Sequence, residues 1–135
     1  FHEAFTAYVR EKTEEMVQKR VHIGAMFSAI GAGTFLYEPA LYWQHELTEY
    51  HERMMEPAYL AALPRYPANP AGTALVEEMR LHLIDLMHRH GAGHFQIGKL
   101  YPYERERDPG ALDLVRSIKA RLDPRGLLNP GALRL

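Results

Sequence analysis

The stretch that most restricts how this chain folds is residues 70–90, because both of its ends are written in the sequence. Asn69 is a good N-cap and Pro70 suits the first helical position, where a missing N–H costs nothing. Gly91 stands where a left-handed C′ residue ends a helix. Between them Leu75, Val76, Met79, Leu83, Leu86 and Met87 recur at helical spacing and predict a buried stripe. His88, Arg89 and His90 at the end suit the negative pole of the helix dipole. This is the longest helix the sequence predicts.

Two further helices follow from the same logic. Phe1, Phe5, Tyr8, Val9 and Met16 lie opposite Arg10, Glu11, Glu14, Glu15 and Lys19, so residues 2–19 read as amphipathic. Asp108-Pro109 repeats the start signal, Leu112, Val115, Ile118 and Leu122 give the stripe of a helix over 109–122, and Asp123-Pro124 ends it. Residues 21–30 and 33–38, separated by Gly31-Ala32-Gly33, read as two strands, with Pro39 closing the second. His22 and Met26 share a face there. Tyr37, Tyr42 and Trp43 form an aromatic cluster that either walls a pocket or covers the end of a core. Residues 45–56 are expected to be helical, and Pro57, Pro64, Pro67 and Pro70 punctuate a surface connector with a helical turn at 59–63.

At 135 residues, 47% of them hydrophobic, the chain buries a core of its own and length allows one domain. The net charge is −1 and the basic residues are dispersed, which argues against a nucleic-acid partner. No apolar run approaches the ~18 residues of a membrane span, so a soluble chain with no membrane partner is expected. The expected location is cytoplasmic. Without cysteine there is no disulfide, thiolate nucleophile or cysteine metal site. His82, His88, His90 and His94 lack the spacing and carboxylate partners of a metal cluster, so no metal is expected. The opening Phe-His-Glu reads as part of a longer product.

Chemistry concentrates between Gly91 and Tyr103. His94-Phe95-Gln96-Ile97 alternates polar and apolar, which predicts a strand over 93–98 with His94 and Gln96 on one exposed face. Gly91, Gly93 and Gly98 leave room against it. Lys99, Tyr101 and Tyr103 add a cation and two phenols that orient an anionic or hydroxylated substrate, or else belong to a plain surface loop. The expected class is therefore α+β, an antiparallel sheet with helices packed on one face.

The end of the chain carries a resemblance. A helix followed by Leu-Asp-Pro-Arg-Gly-Leu-Leu-Asn-Pro-Gly-Ala-Leu (residues 122–133) resembles the C-terminal signature of FAD-linked oxidases of the vanillyl-alcohol oxidase type, which include 4-cresol dehydrogenases and D-2-hydroxyacid dehydrogenases. The long helix, Gly-Ala-Gly, strand and last helix keep that family's order. The resemblance implies a ferredoxin-like cap or substrate domain over residues 1–121, with 122–135 returning to a separate FAD-binding domain. It implies FAD as cofactor, a hydroxylated small molecule as substrate, and hydride transfer to the flavin. His94 is then the candidate base, a role suited to a histidine near neutrality. Gln96, Lys99, Tyr37, Tyr101 and Tyr103 are candidate substrate-binding groups, and Asn129 a cofactor-binding one. A homo-oligomer or an electron-acceptor subunit are further partners the resemblance leaves open.

Two family patterns are altered here. Where hydroxyacid dehydrogenases carry Glu-His-Gly-Ile-Gly, this chain has His94-Phe95-Gln96-Ile97-Gly98. Where the phenol-oxidising branch has Gly-x-Gly-x-Tyr-Arg, it has Gly91-Ala92-Gly93-His94-Phe95-Gln96. Nowhere is there a glycine-rich pyrophosphate loop, so the chain alone is expected to be inactive. Asn129 precedes Pro130, which predicts an extended backbone and a fixed direction for its amide; a turn bonded to its own backbone is the other reading. The rival from another class is a non-catalytic ferredoxin-like module that binds a small ligand or dimerises through the same sheet face.

Overall fold

The structure, a computed structural model, describes residues 1–94 and 98–134, with Glu106 and Arg134 described by their backbone only. In order come α1 (His2–Gln18), β1 (Val21–Ile30), β2 (Thr34–Trp43), α2 (Glu49–Met54), α3 (Pro57–Ala62), α4 (Pro70–Arg89) and α5 (Pro109–Leu122). Two 3-10 turns, Tyr103–Glu106 and Ala132–Arg134, lie before and after α5. The class is α+β. Residues 2–82 make one compact unit; Phe1 with residues 83–135 makes another.

In the first unit the apolar side of α1 is buried as its spacing predicts, through Phe5, Tyr8 and Met16. The adjoining core is Val21 from β1 and Leu75, Val76 and Met79 from α4, all at most 1% exposed. Burial of side chains this size stabilises by about 1.5–3 kcal/mol each. Tyr8 stacks on His82 with ring centroids 3.8 Å apart, and burial pushes its phenol above the ordinary value. Lys12 reaches Glu78 at 2.5 Å and Glu15 at 3.1 Å, tying α1 to α4.

β1 and β2 pair antiparallel from Val21 opposite Trp43 to Ile30 opposite Thr34, turning at Gly31 with φ 62°. The second strand does not stop at Pro39, as the sequence reading expects. It runs five residues further in register, with Pro39 opposite Ala25. In a two-stranded sheet every second N–H points away from the partner, and a proline there removes no ladder bond. The helix expected over 45–56 is confined to α2, and the connector holds the short α3. Of the strand expected over 93–98, Phe95, Gln96 and Ile97 lie outside the described residues. Gly93, His94 and Gly98 carry no strand, in keeping with the entropic cost of ordering glycine-rich backbone.

The junction of α1, β2 and α4 is held by one side chain. Asn69 accepts from the Gly72 N–H at 2.9 Å, capping α4, and its amide donates to the Lys19 and Gln44 carbonyls at 2.9 Å each. Trp43 donates its indole N–H to Thr73 in the first turn of the same helix at 3.1 Å. At the other end Gly91, φ 68°, sends its N–H to the His88 carbonyl while Ala92 reaches back to Met87, the paired bonds of a Schellman cap.

The second unit buries Leu83, Ile84 and Leu86 from the last part of α4 and Leu112 from α5. α5 starts as its sequence predicts, with Asp108 accepting from the Ala111 N–H at 3.1 Å. Its stripe is only partly covered. Leu112 is buried and Val115 half-buried, but Ile118 is 51% and Leu122 74% exposed. Helical spacing reports a shared face, not the presence of a partner along its whole length.

Candidate functional site

The Schellman cap turns the chain out of α4 and delivers Ala92, Gly93 and His94 into a loop. His94 is half-buried and its ring lies against that of Tyr101, with centroids 4.6 Å apart and planes 27° from parallel. An imidazole and a phenol from either side of residues 95–100 are thus brought together. Lys99 stands exposed in the same segment.

Pro102 gives the segment its fixed point. It is fully buried, and with φ −80° and ψ 71° it centres an inverse γ-turn in which the Tyr103 N–H donates to the Tyr101 carbonyl at 2.9 Å. The two phenols therefore diverge. Tyr101 goes to His94, whereas Tyr103 lies under the Arg107 guanidinium, 4.8 Å from its ring centroid. Arg105 lies 4.0 Å from Asp85 of α4, and Glu104 pairs with Arg116 of α5 at 3.4 Å, which fastens the following 3-10 turn to both helices.

The remaining candidates have the following surroundings. Gln96 lies outside the described residues. Tyr37 belongs to the unit formed by residues 2–82, where His2 Nδ1 is 3.0 Å from its hydroxyl and the rings of Phe27 and Phe5 meet its ring edge to face at 4.6 and 5.3 Å. Burial raises its phenol above the usual value. Asn129 is exposed and is not extended: its φ is 45°, and its carbonyl accepts from the Ala132 N–H at 3.0 Å. The local turn outweighs the pre-proline preference, because asparagine tolerates the left-handed region better than most residues. A shallow cavity of about 170 Å³ is lined by Lys19, Gln44 and Asn69 of the junction just described, together with Gln18, Arg20, Tyr66, Pro67 and Ala68. Among the described residues no three His, Asp or Glu side chains converge as a metal site.

Sequence reasoning treats Asp123 only as a helix stop, yet it is the hub of the C-terminal tail. It is 8% exposed; Oδ1 accepts from the Leu127 N–H at 2.8 Å and Oδ2 from the Leu128 N–H at 2.9 Å. Lys119 donates to Oδ2 and to the Leu128 carbonyl, both at 2.5 Å. The ammonium, with the two backbone donors, holds the carboxyl down at about 2. The available signal was Lys119 four residues before Asp123, the spacing of a helical ion pair.

The chain holds a hairpin and one long helix, and its sequence has no glycine-rich dinucleotide-binding loop. The chain belongs to the family described as FAD linked oxidases, C-terminal domain, which matches residues 7–133. It is thereby the C-terminal domain of an FAD-linked oxidoreductase. No curated protein and no solved structure matches the chain.

Proposed function

We propose that this chain is the substrate-facing cap of an FAD-linked oxidoreductase of the vanillyl-alcohol oxidase type, oxidising a hydroxylated small molecule by hydride transfer to flavin. The substrate is a phenol or alcohol, or a 2-hydroxy acid. The observation that carries the reading is the His94–Tyr101 stack in a segment that also holds Lys99, within a chain of this family.

The donor set fits the substrate side of such a cofactor better than its pyrophosphate. An imidazole, an ammonium and a phenol suit a hydroxyl and an anionic group. When bound by its own domain, FAD supplies the two-electron acceptor. The rest falls to this chain. His94 takes the hydroxyl proton at a ring nitrogen as the C–H bond is broken. Tyr101 fixes the plane of that imidazole by stacking. Lys99 draws in a carboxylate or phenolate, and Gln96 is a further positioning group. Residues 122–135 return towards the FAD-binding domain, where Asn129 meets the cofactor side.

His94→Gln in the flavin-loaded enzyme tests this. Anaerobic flavin reduction, with 4-methylphenol and lactate as probes, should slow by about 10²–10⁴ at unchanged flavin content. An unaltered reduction rate would remove His94 from the mechanism.

A further inference from the structure

The tail after α5 follows a path that its own residues do not favour. Asn129, Gly131 and Leu133 are all left-handed, with φ 45°, 77° and 58°. A glycine enters that region freely, but a leucine remains there only where its surroundings over-determine it. Leu133 has such a contact: its N–H donates to the Gly98 carbonyl at 3.1 Å. The 3-10 turn it belongs to, Ala132–Arg134, packs on the turn Tyr103–Glu106. The tail thus touches the segment bearing Lys99 and Tyr101 at both of its ends.

The other end of the tail is equally fixed. Asp123 holds the Leu127 and Leu128 N–H groups and the Lys119 ammonium, and Lys119 closes onto the Leu128 carbonyl. Gly126, φ 63°, makes the turn between, donating to the Asp123 carbonyl at 3.0 Å. With both ends held, a short run of backbone lies between anchor and contact. Asp123 and the Gly98 contact are thus joined by one continuous run of chain.

We propose that residues 123–134 are a strap that holds the Gly98–Tyr103 segment in place, with Asp123 as its anchor and a positioning residue for the site. The strap itself rests on backbone contacts; its importance for the reaction rests on the reading of His94, Lys99 and Tyr101 as the substrate site. Asp123, bonded to Lys119, Leu127 and Leu128, touches none of the three groups placed in that chemistry and acts through the tail.

The test uses the flavin-loaded enzyme in two variants, Asp123→Asn and a truncation lacking residues 133–135, so that a failure of the first to fold leaves the second. Amide exchange over residues 98–103 should quicken by about tenfold or more in both, with β1 and β2 unchanged. The KM of whichever probe reduces the flavin, 4-methylphenol or lactate, should rise by about tenfold as the groups that grip it lose their register. Unchanged exchange over 98–103, in a variant whose residues 124–132 exchange faster, overturns the strap. Faster exchange with unaltered KM and reduction rate overturns its role in the site. If neither probe reduces the flavin of the unmodified enzyme, the substrate reading fails, and the exchange measurement still decides the strap.

Discussion

Asn69 shows how much one side chain does when its donors and acceptor are all used. Its acceptor caps α4 and its two donors fasten the end of α1 and the chain after β2. Asn69→Ala removes a cap and two further bonds, a loss of about 2–3 kcal/mol, read as a lower urea midpoint at unchanged m. Asn69→Asp is the sharper experiment. Aspartate is as good a cap, yet it would set a carboxylate oxygen against the Lys19 and Gln44 carbonyls, so it should be at least as damaging. Its neighbour Gly72 obeys the same geometry. A Cβ there would overlap the Asn69 amide and lie 2.9 Å from the Lys19 carbonyl oxygen, so Gly72→Ala should destabilise although alanine is the better helix former.

At the scale of elements, helix ends were legible because each is encoded within a few residues: Asn69 with Gly72, Asp108 with Ala111, Gly91 with His88. What was not legible depends on distant chain. Pro39 inside β2 is tolerated because of where the other strand lies, and Ile118 and Leu122 are exposed because the covered part of α5 ends before them. In the candidate site, residue types singled out His94 and Tyr101 among others, but neither their stacking nor the contact from Leu133 to Gly98 has a local signature. The Asp123 clasp makes a prediction of its own. Its folded value of about 2 lies below the ordinary 3.8, so its contribution is complete above about pH 4 and is lost as pH falls towards about 2. Exchange at the Leu127 and Leu128 amides, corrected for intrinsic rate, should rise across that window and not above it. Lys119→Met should move the rise to higher pH, since the ion pair is the largest cause of the depression.

For the molecule as a whole, burial separates residues that look alike in the sequence. Met79 is wholly buried, and Met79→Ala should cost about 2–5 kcal/mol. Leu122, 74% exposed, should tolerate alanine within about 0.5 kcal/mol in thermal unfolding of the chain. Among the described residues no helix is long and apolar enough to cross a membrane. The hairpin has a different kind of consequence. Among the described residues neither of its outer edges is paired, Ile23 to Ile30 carries no charged side chain, and Met26, Phe27, Ile30 and Phe35 are 46–63% exposed. Nothing along the β1 edge repels a second strand, so in concentrated solution that edge should favour cross-β growth. A gatekeeper lysine at the exposed Ser28, Ser28→Lys, should suppress turbidity and thioflavin fluorescence on standing, while leaving the far-ultraviolet dichroism of the fresh protein unchanged.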